Sequence, residues 1–305
     1  MDGIINVLKP PGMTSHDVVS FIRRNLGVKK AGHTGTLDPG ASGVLVICLG
    51  RATRLARFIT DSDKEYQTEV VFGVATDTGD SSGKVIEEIN AGYLTEGMVR
   101  EALPAFTGEI DQVPPMVSAI KLQGKKLYEL ARAGITVERG ARKVNISELE
   151  YISGAGWGSE KPAATLRLTC SKGTYVRTLC EDLGKHLGCV AHMSLLTRHR
   201  VGAFSINNAF SLEDLQNSDP AGMIIPMTAA LSEMPEVKVK SGAVNAVNSG
   251  AKLFLPGVVS LPEGLTEGGQ VRLSGPDGLL AIAETTYDPA DQSRVVFKPI
   301  CVLKD

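Results

Sequence analysis

Hydrophobic and polar positions along the chain switch repeatedly between a period of two and a helical period, and the switches divide it into elements. GIINVLKP predicts a strand cut off by Pro10-Pro11-Gly12, and Thr14-x-x-Asp17 predicts a helix start with Val18, Val19, Ile22 and Leu26 on one face. A glycine-rich turn from Gly32 to Gly43 leads into GVLVICLG, an apolar run of strand length, and Ala52 to Ile59 carries a short helical pattern with Arg54 and Arg57. Glu65 to Phe72 reads as a half-exposed strand, TDTGDSSG as a turn cluster and Met98 to Phe106 as a helix. Strands are predicted at Val144 to Ile152, Ala163 to Cys170 and near Val201 to Phe204, with a helix at Val176 to Leu187. Ser211 to Pro235 gives weak, mixed signals. Beyond Pro235, short β-like runs broken by Gly and Pro predict a small all-β domain over 233–305, after a larger domain over 1–232.

The 305 residues suffice for two domains, and 43% hydrophobic with 22% charged residues describes a soluble globular chain. No apolar run approaches the roughly 18–20 uncharged residues of a membrane span. MDGIINVLKPPG lacks a basic segment followed by an apolar stretch, so the expected location is the cytoplasm. Five cysteines without a C-x-x-C pair or a histidine at ligand spacing predict free thiols and no metal site. The net charge of −2 conceals segregation. Residues 1–60 carry 8 basic and 3 acidic side chains, 61–120 carry 3 and 12, 121–210 carry 14 and 7, and 211–305 carry 7 and 12. Two basic blocks around an acidic one can fold into a positive groove for a polyanion, or remain ordinary solvated faces.

Several reaction classes lack their motifs. Gly79-Asp-Ser-Ser-Gly83-Lys84-Val85 is one residue short of a phosphate loop and has Val85 where Ser or Thr would bind magnesium. There is no G-x-G-x-x-G after a strand, no G-x-S-x-G elbow and no H-E-x-x-H. What remains is Gly32-His33-Thr34-Gly35-Thr36-Leu37-Asp38-Pro39-Gly40-Ala41-Ser42-Gly43, a single carboxylate on a loop before a buried strand. Its glycines permit left-handed backbone angles and close ligand approach. Asp38-Pro39-Gly40 alone would be an ordinary tight turn. A second constellation, Cys170-Ser171-Lys172-Gly173-Thr174-Tyr175-Val176-Arg177, lies at a strand-to-helix junction. Tyr175 and Arg177 are two apart and point the same way while the chain stays extended, so Arg177 can hold a buried carboxylate ionised or sit on the surface. Asp61-Ser62-Asp63-Lys64-Glu65-Tyr66 offers a tyrosine able to stack on a base. His16, His186, His192 and His199 have no further ligands nearby in sequence, and none is assigned to a metal.

Six ordered blocks, LKPPGMTSHDVV, GHTGTLDPGASGVL, DSDKEY, PPMVSAIKLQGKKLYELAR, CSKGTYVRTLCEDLG and AHMSLLTRHRVGAF, resemble the bacterial TruB family of tRNA pseudouridine synthases over about residues 3–210. The trailing β segment resembles that family's RNA-binding PUA module. The resemblance implies an α+β fold with a mixed, mainly antiparallel central sheet and a catalytic cleft, followed by a small all-β PUA-like domain. It implies isomerisation of uridine-55 in the T-arm stem-loop of tRNA by base flipping, by a monomer without guide RNA, protein partner, metal or cofactor, with a secondary role in tRNA folding. Carried over residue by residue, Asp38 is the catalytic residue, Tyr66 stacks on the base and is implicated in proton removal, and Arg177 pairs with Asp38. His33 lies beside the substrate, Tyr175 lines the pocket, Leu196 forms its apolar wall, and Arg54, lysine in some members, meets a phosphate. A glycosidase using Asp77 or Asp80 as its second carboxylate, or a non-catalytic RNA-binding module, are the rival readings.

Overall fold

The computed structural model describes residues 1–304 apart from 119, 123, 289 and 290. Its main sheet runs β1 (Gly3–Lys9), β3 (Ser42–Leu49), β8 (Ala191–Val201), β4 (Lys64–Phe72), β7 (Ala163–Cys170), β6 (Arg142–Ala155) and β5 (Gly108–Gln112) from edge to edge. β2 (Ala31–His33) pairs beside β3, and Phe204–Ser205 pairs with β8. All these pairings are antiparallel except β3 with β8, which makes the sheet mixed. A second sheet is ordered Leu253–Phe254, Asp291–Val302, Gly278–Asp288, Gln270–Gly275, Glu236–Val239 and Val258–Ser260.

GVLVICLG is apolar throughout because β3 is covered on both faces. Leu45, Ile47 and Leu49 join Ile5 and Val7 against Val18, Val19 and Ile22 of α1 (Ser15–Asn25), while Val44, Val46 and Cys48 turn the other way, onto Ala52, Leu55 and Ile59. Thr14 starts α1 with a capping box to Asp17. A third cluster joins β4, β6, β7 and β8 to α2 (Glu96–Ala102) and α3 (Val176–His186).

Two readings of the sequence change. β8 is an eleven-residue strand that ends at Val201, where the pattern predicts only a short strand near Val201 to Phe204. Register breaks between Met193 and Leu195 and between Arg198 and Arg200 disrupt its period of two, and several of its polar side chains bond within the protein, His192 to Val74 O, Thr197 to Ser42, Arg198 to Val44 O and Arg200 to Glu65. β4 is central, flanked by β7 and β8, and is half-exposed as its pattern predicts, with Thr68, Val70 and Phe72 buried and Gln67, Glu69 and Val71 partly exposed between them. The weak segment from Ser211 forms a capped helix at Leu212–Asn217 and two shorter turns of helix, and touches β1 through a bridge from Ile225, as Phe210 does just before it.

The second sheet is not independent of the first. Leu279, Ile282 and Leu303 share one core with Ile4, Leu55, Ile59 and Leu231. Ile282→Ala is therefore expected to cost about 2–5 kcal/mol and to shift the unfolding of Trp157, the only tryptophan, which sits in the other half of the molecule. Urea unfolding followed by its fluorescence checks this; an unmoved midpoint would mean that the C-terminal part unfolds alone.

Candidate active site

The loop between β2 and β3 is tied down on every side. Ala41 N donates to Asp38 O at 3.1 Å, closing a turn with Pro39 and Gly40 at its corners. Lys9 is fully buried, and its Nζ donates to Pro10 O (2.9 Å), Pro39 O (3.3 Å) and Ala41 O (2.6 Å). Ser15 Oγ donates to Leu37 O and accepts from Leu37 N, at 3.0 and 2.8 Å. Thr34 N donates to Val46 O at 3.1 Å, and Thr34 O accepts from Thr60 Oγ1 at 2.6 Å. From β8, Arg198 reaches Val44 O with Nε (2.7 Å), Thr36 O with Nη1 (3.4 Å) and Gly35 O with Nη2 (3.1 Å). Of the four glycines in Gly32–Gly43, only Gly43 adopts a left-handed φ, +106°. A Cβ there would lie 2.2 Å from Arg198 O, so what it admits is the β8 backbone rather than a ligand.

Asp38 stands at the head of this turn with its side chain 32% exposed, open to a small cleft lined also by Ala41, Asp80, Ser82, Met193 and Leu196. Arg177 meets it with two nitrogens, Nε to Oδ2 at 3.0 Å and Nη2 to Oδ1 at 3.3 Å. The pairing arises in a helix rather than an extended segment: Tyr175 is the N-cap of α3 and Arg177 lies in its first turn, buried, with Nη1 donating to Thr78 O (2.9 Å) and Nη2 to Val117 O (2.8 Å). Asp80 Oδ2 lies 3.8 Å from the same Nε. Its Oδ1 accepts from Thr78 Oγ1 (2.8 Å), Ser82 N (3.0 Å) and Ser82 Oγ (2.5 Å). Burial pushes the Asp38 carboxyl above the usual carboxylate range; Arg177 pulls it back, and the Asp80 charge raises it again.

Tyr66 on β4 lies directly across from Arg198 on β8, and Leu196 lies across from Thr68 two pairs along, so the three side chains share a face. Tyr66 and Leu196 both pack on the third core cluster. Burial pushes the Tyr66 phenol up, the Arg198 guanidinium draws it down, and Asp38 is close enough to add to the rise. His33 is in β2 on the same loop; its buried Nδ1 finds no partner among the described residues, and burial followed by the charge of Arg198 lowers its pKa. Tyr175 is half-buried, and its backbone is clamped by Gln112, which donates to Tyr175 O and accepts from Tyr175 N. Arg54 goes elsewhere: its Nη1 donates to Val302 O and Lys304 O, against the end of the chain. Asp77 also stands apart from Asp38, its Oδ1 accepting from Lys84 N in the turn between two short strands.

The sequence reading missed Lys9, Asp80 in its bond to Arg177, and Arg198. Lys9 and Lys64, both buried among carbonyls, are pulled down to about 8 by desolvation. Lys9, Arg177 and Arg198 belong to the two basic blocks yet are internal, so part of the segment charge never reaches the surface. Among the described residues no three His, Cys, Asp or Glu gather as a metal cluster, and no helix is long and apolar enough to cross a membrane.

Comparison with known proteins places the chain. Residues 23–176 match the family model for the N-terminal domain of TruB family pseudouridylate synthases, 177–232 that for the C-terminal domain of tRNA pseudouridylate synthase B, and 235–295 the PUA domain. A protein from Pelotomaculum thermopropionicum named tRNA pseudouridine synthase B is 59% identical, covering 99% of this chain and 97% of its own. One of the same name from Symbiobacterium thermophilum is 54% identical over 82% of each chain. A chain from a Cbf5-Nop10-Gar1 complex superposes with a TM-score of 0.77 at 30% identity, covering 99% of this chain and 85% of that one. A chain from an H/ACA ribonucleoprotein bound to a substrate RNA gives 0.75 at 28% identity, covering 99% and 85%. With one relative 59% identical along nearly its whole length, this chain belongs to the TruB family and is a pseudouridylate synthase with a C-terminal PUA domain.

Proposed function

We propose that the chain converts uridine-55 of the tRNA T-arm to pseudouridine, acting in the cytoplasm as a monomer without guide RNA. The observation that carries it is Asp38, presented on an immobilised turn, half-open to the cleft and paired through two atoms with a buried arginine. In the reaction the bond from ribose C1′ to N1 breaks, the uracil turns, and C5 bonds to C1′; the proton lost from C5 is balanced by one gained at N1. Nothing is oxidised and no group is donated. Asp38 either attacks C1′ or takes a proton from the sugar to give a glycal, and the C5 proton leaves at the end in both routes.

Arg177 keeps the Asp38 carboxylate ionised against its burial. Tyr66 and Leu196 hold the detached base while it turns, with Tyr66 placed to assist proton removal. A stacked uridine reaches them only by flipping, at about a few kcal/mol, which phosphate contacts offset. His33 and Tyr175 would border the flipped nucleotide. For Arg54 to meet a phosphate, it must exchange its two carbonyl bonds at Val302 and Lys304.

Asp80 gives the glycosidase reading one observation in its favour, since a second carboxylate does share Arg177 with Asp38. Its oxygens are occupied in holding Arg177 and the turn at Ser82. A T-arm stem-loop carrying 5-tritiated uridine, incubated with the chain and no cofactor, decides. Tritium release with the base retained in the RNA is expected. Free uracil would establish hydrolysis, no turnover would leave a binding module, and equal rates at other loop uridines would overturn the choice of position.

A further inference from the structure

We propose that Arg198 is a positioning residue of this reaction, setting the turn that carries Asp38 and the ring of Tyr66 relative to one another. The guanidinium is 2% exposed, and each of its nitrogens donates to a main-chain carbonyl. Two of those carbonyls, Gly35 O and Thr36 O, lie in the catalytic loop, and the third, Val44 O, lies in the strand that follows it. No other single side chain described in that loop spans both ends of it. The same residue lies across from Tyr66 in the sheet, and its backbone passes so close to Gly43 that no Cβ fits between them. A displacement of Arg198 therefore moves both the carboxylate and the tyrosine that faces the base. A carbonyl triad also accounts for arginine here: its planar fork spreads the donors over three nitrogens and reaches carbonyls at Gly35, Thr36 and Val44, whereas an ammonium, as at Lys9, must gather its carbonyls around one atom.

The inference rests on Asp38 as the reacting group and is tested beside Asp38→Asn. Arg198→Lys keeps the charge and loses the fork; Arg198→Gln removes the charge and keeps one donor. In single-turnover assays at saturating T-arm RNA, both are expected to lose about 100-fold in rate, the scale of a misplacement near 1 Å, with RNA affinity within about threefold of wild type. If Arg198 acts partly through Tyr66, combining Arg198→Lys with Tyr66→Phe will cost less than the product of the two single losses. Wild-type rates in Arg198→Lys, affinity falling in step with rate, or fully multiplicative losses would each overturn the proposal. Failure of both variants to fold, read by circular dichroism, would overturn it too, since the residue would then be scaffold alone. Turnover by Asp38→Asn would instead sink the reading of Asp38 and not the placement of Arg198.

Discussion

Asp38→Asn is expected to lower the rate of tritium release from a T-arm substrate by more than about 1,000-fold, roughly 4 kcal/mol of barrier, while RNA affinity stays within about threefold. The amide has nearly the shape of the carboxylate, and the turn that holds it depends on the backbone of residues 37–41 rather than on the side chain. What changes is chemistry: the amide is neither a nucleophile at C1′ nor a base toward the sugar. Binding is carried by surfaces beyond this one side chain. Stopped assays for rate and filter binding for affinity separate the two, and sustained turnover by the amide variant would remove Asp38 from the reaction.

Arg177→Met is expected to lose about 100-fold or more near neutral pH and to recover part of it as pH rises. The carboxyl of Asp38 is already raised by burial, and the Asp80 charge adds to the rise; Arg177 is the main influence pulling it down. In the proposed reaction the ionised form is the one that acts, so the rate is expected to climb with pH through the Asp38 pKa. Removing the cation raises that pKa, and the acid limb of the pH–rate profile moves to higher pH. Arg177→Lys keeps a charge but cannot hold Asp38, Thr78 O and Val117 O together, so it should restore the limb more than the maximal rate. An acid limb left in place in Arg177→Met would show that Arg177 acts on something other than the ionisation of Asp38.

The elements most readily legible in the sequence were those whose burial follows a simple period. β1, β3 and the capped start of α1 announce themselves through continuous apolar runs and the Thr14–Asp17 box, and the turn at Asp38 through Pro39 and Gly40. Asp38 stood out because few other carboxylates sit among so many glycines, although the structure uses only one of those glycines for its left-handed freedom. Arg198 was illegible for the opposite reason. In sequence it is one cation in Thr-Arg-His-Arg, and only the pairing of β8 between β3 and β4 turns it inward onto carbonyls from residues 35 to 44. The same holds for Lys9, which reads as the last residue of a strand before Pro10 and proves to be a buried brace. Segment charge counts miss the same point, since they take every cation to face water, and Lys9, Arg177 and Arg198 face protein oxygens.

The seat of β8 between β3 and β4 also governs when the molecule can come into being. Ser42 and its strand partner Thr197 are 155 positions apart. At about 5–20 residues per second of synthesis, β3 waits on the order of 10 s for the strand that completes it. Until then the place beside Ser42 and Gly43 is unfilled, although β2 already pairs with Ile47 to Leu49 on that side, and β4, whose neighbours β7 and β8 are both made later, stands with two open edges and the hazards of mispairing that such edges carry. Arg177 and Arg198 both arrive in that same late stretch. Asp38 is therefore made early, and the arginine that pairs with its carboxylate follows 139 positions later, so the pair is among the last contacts of this domain to close.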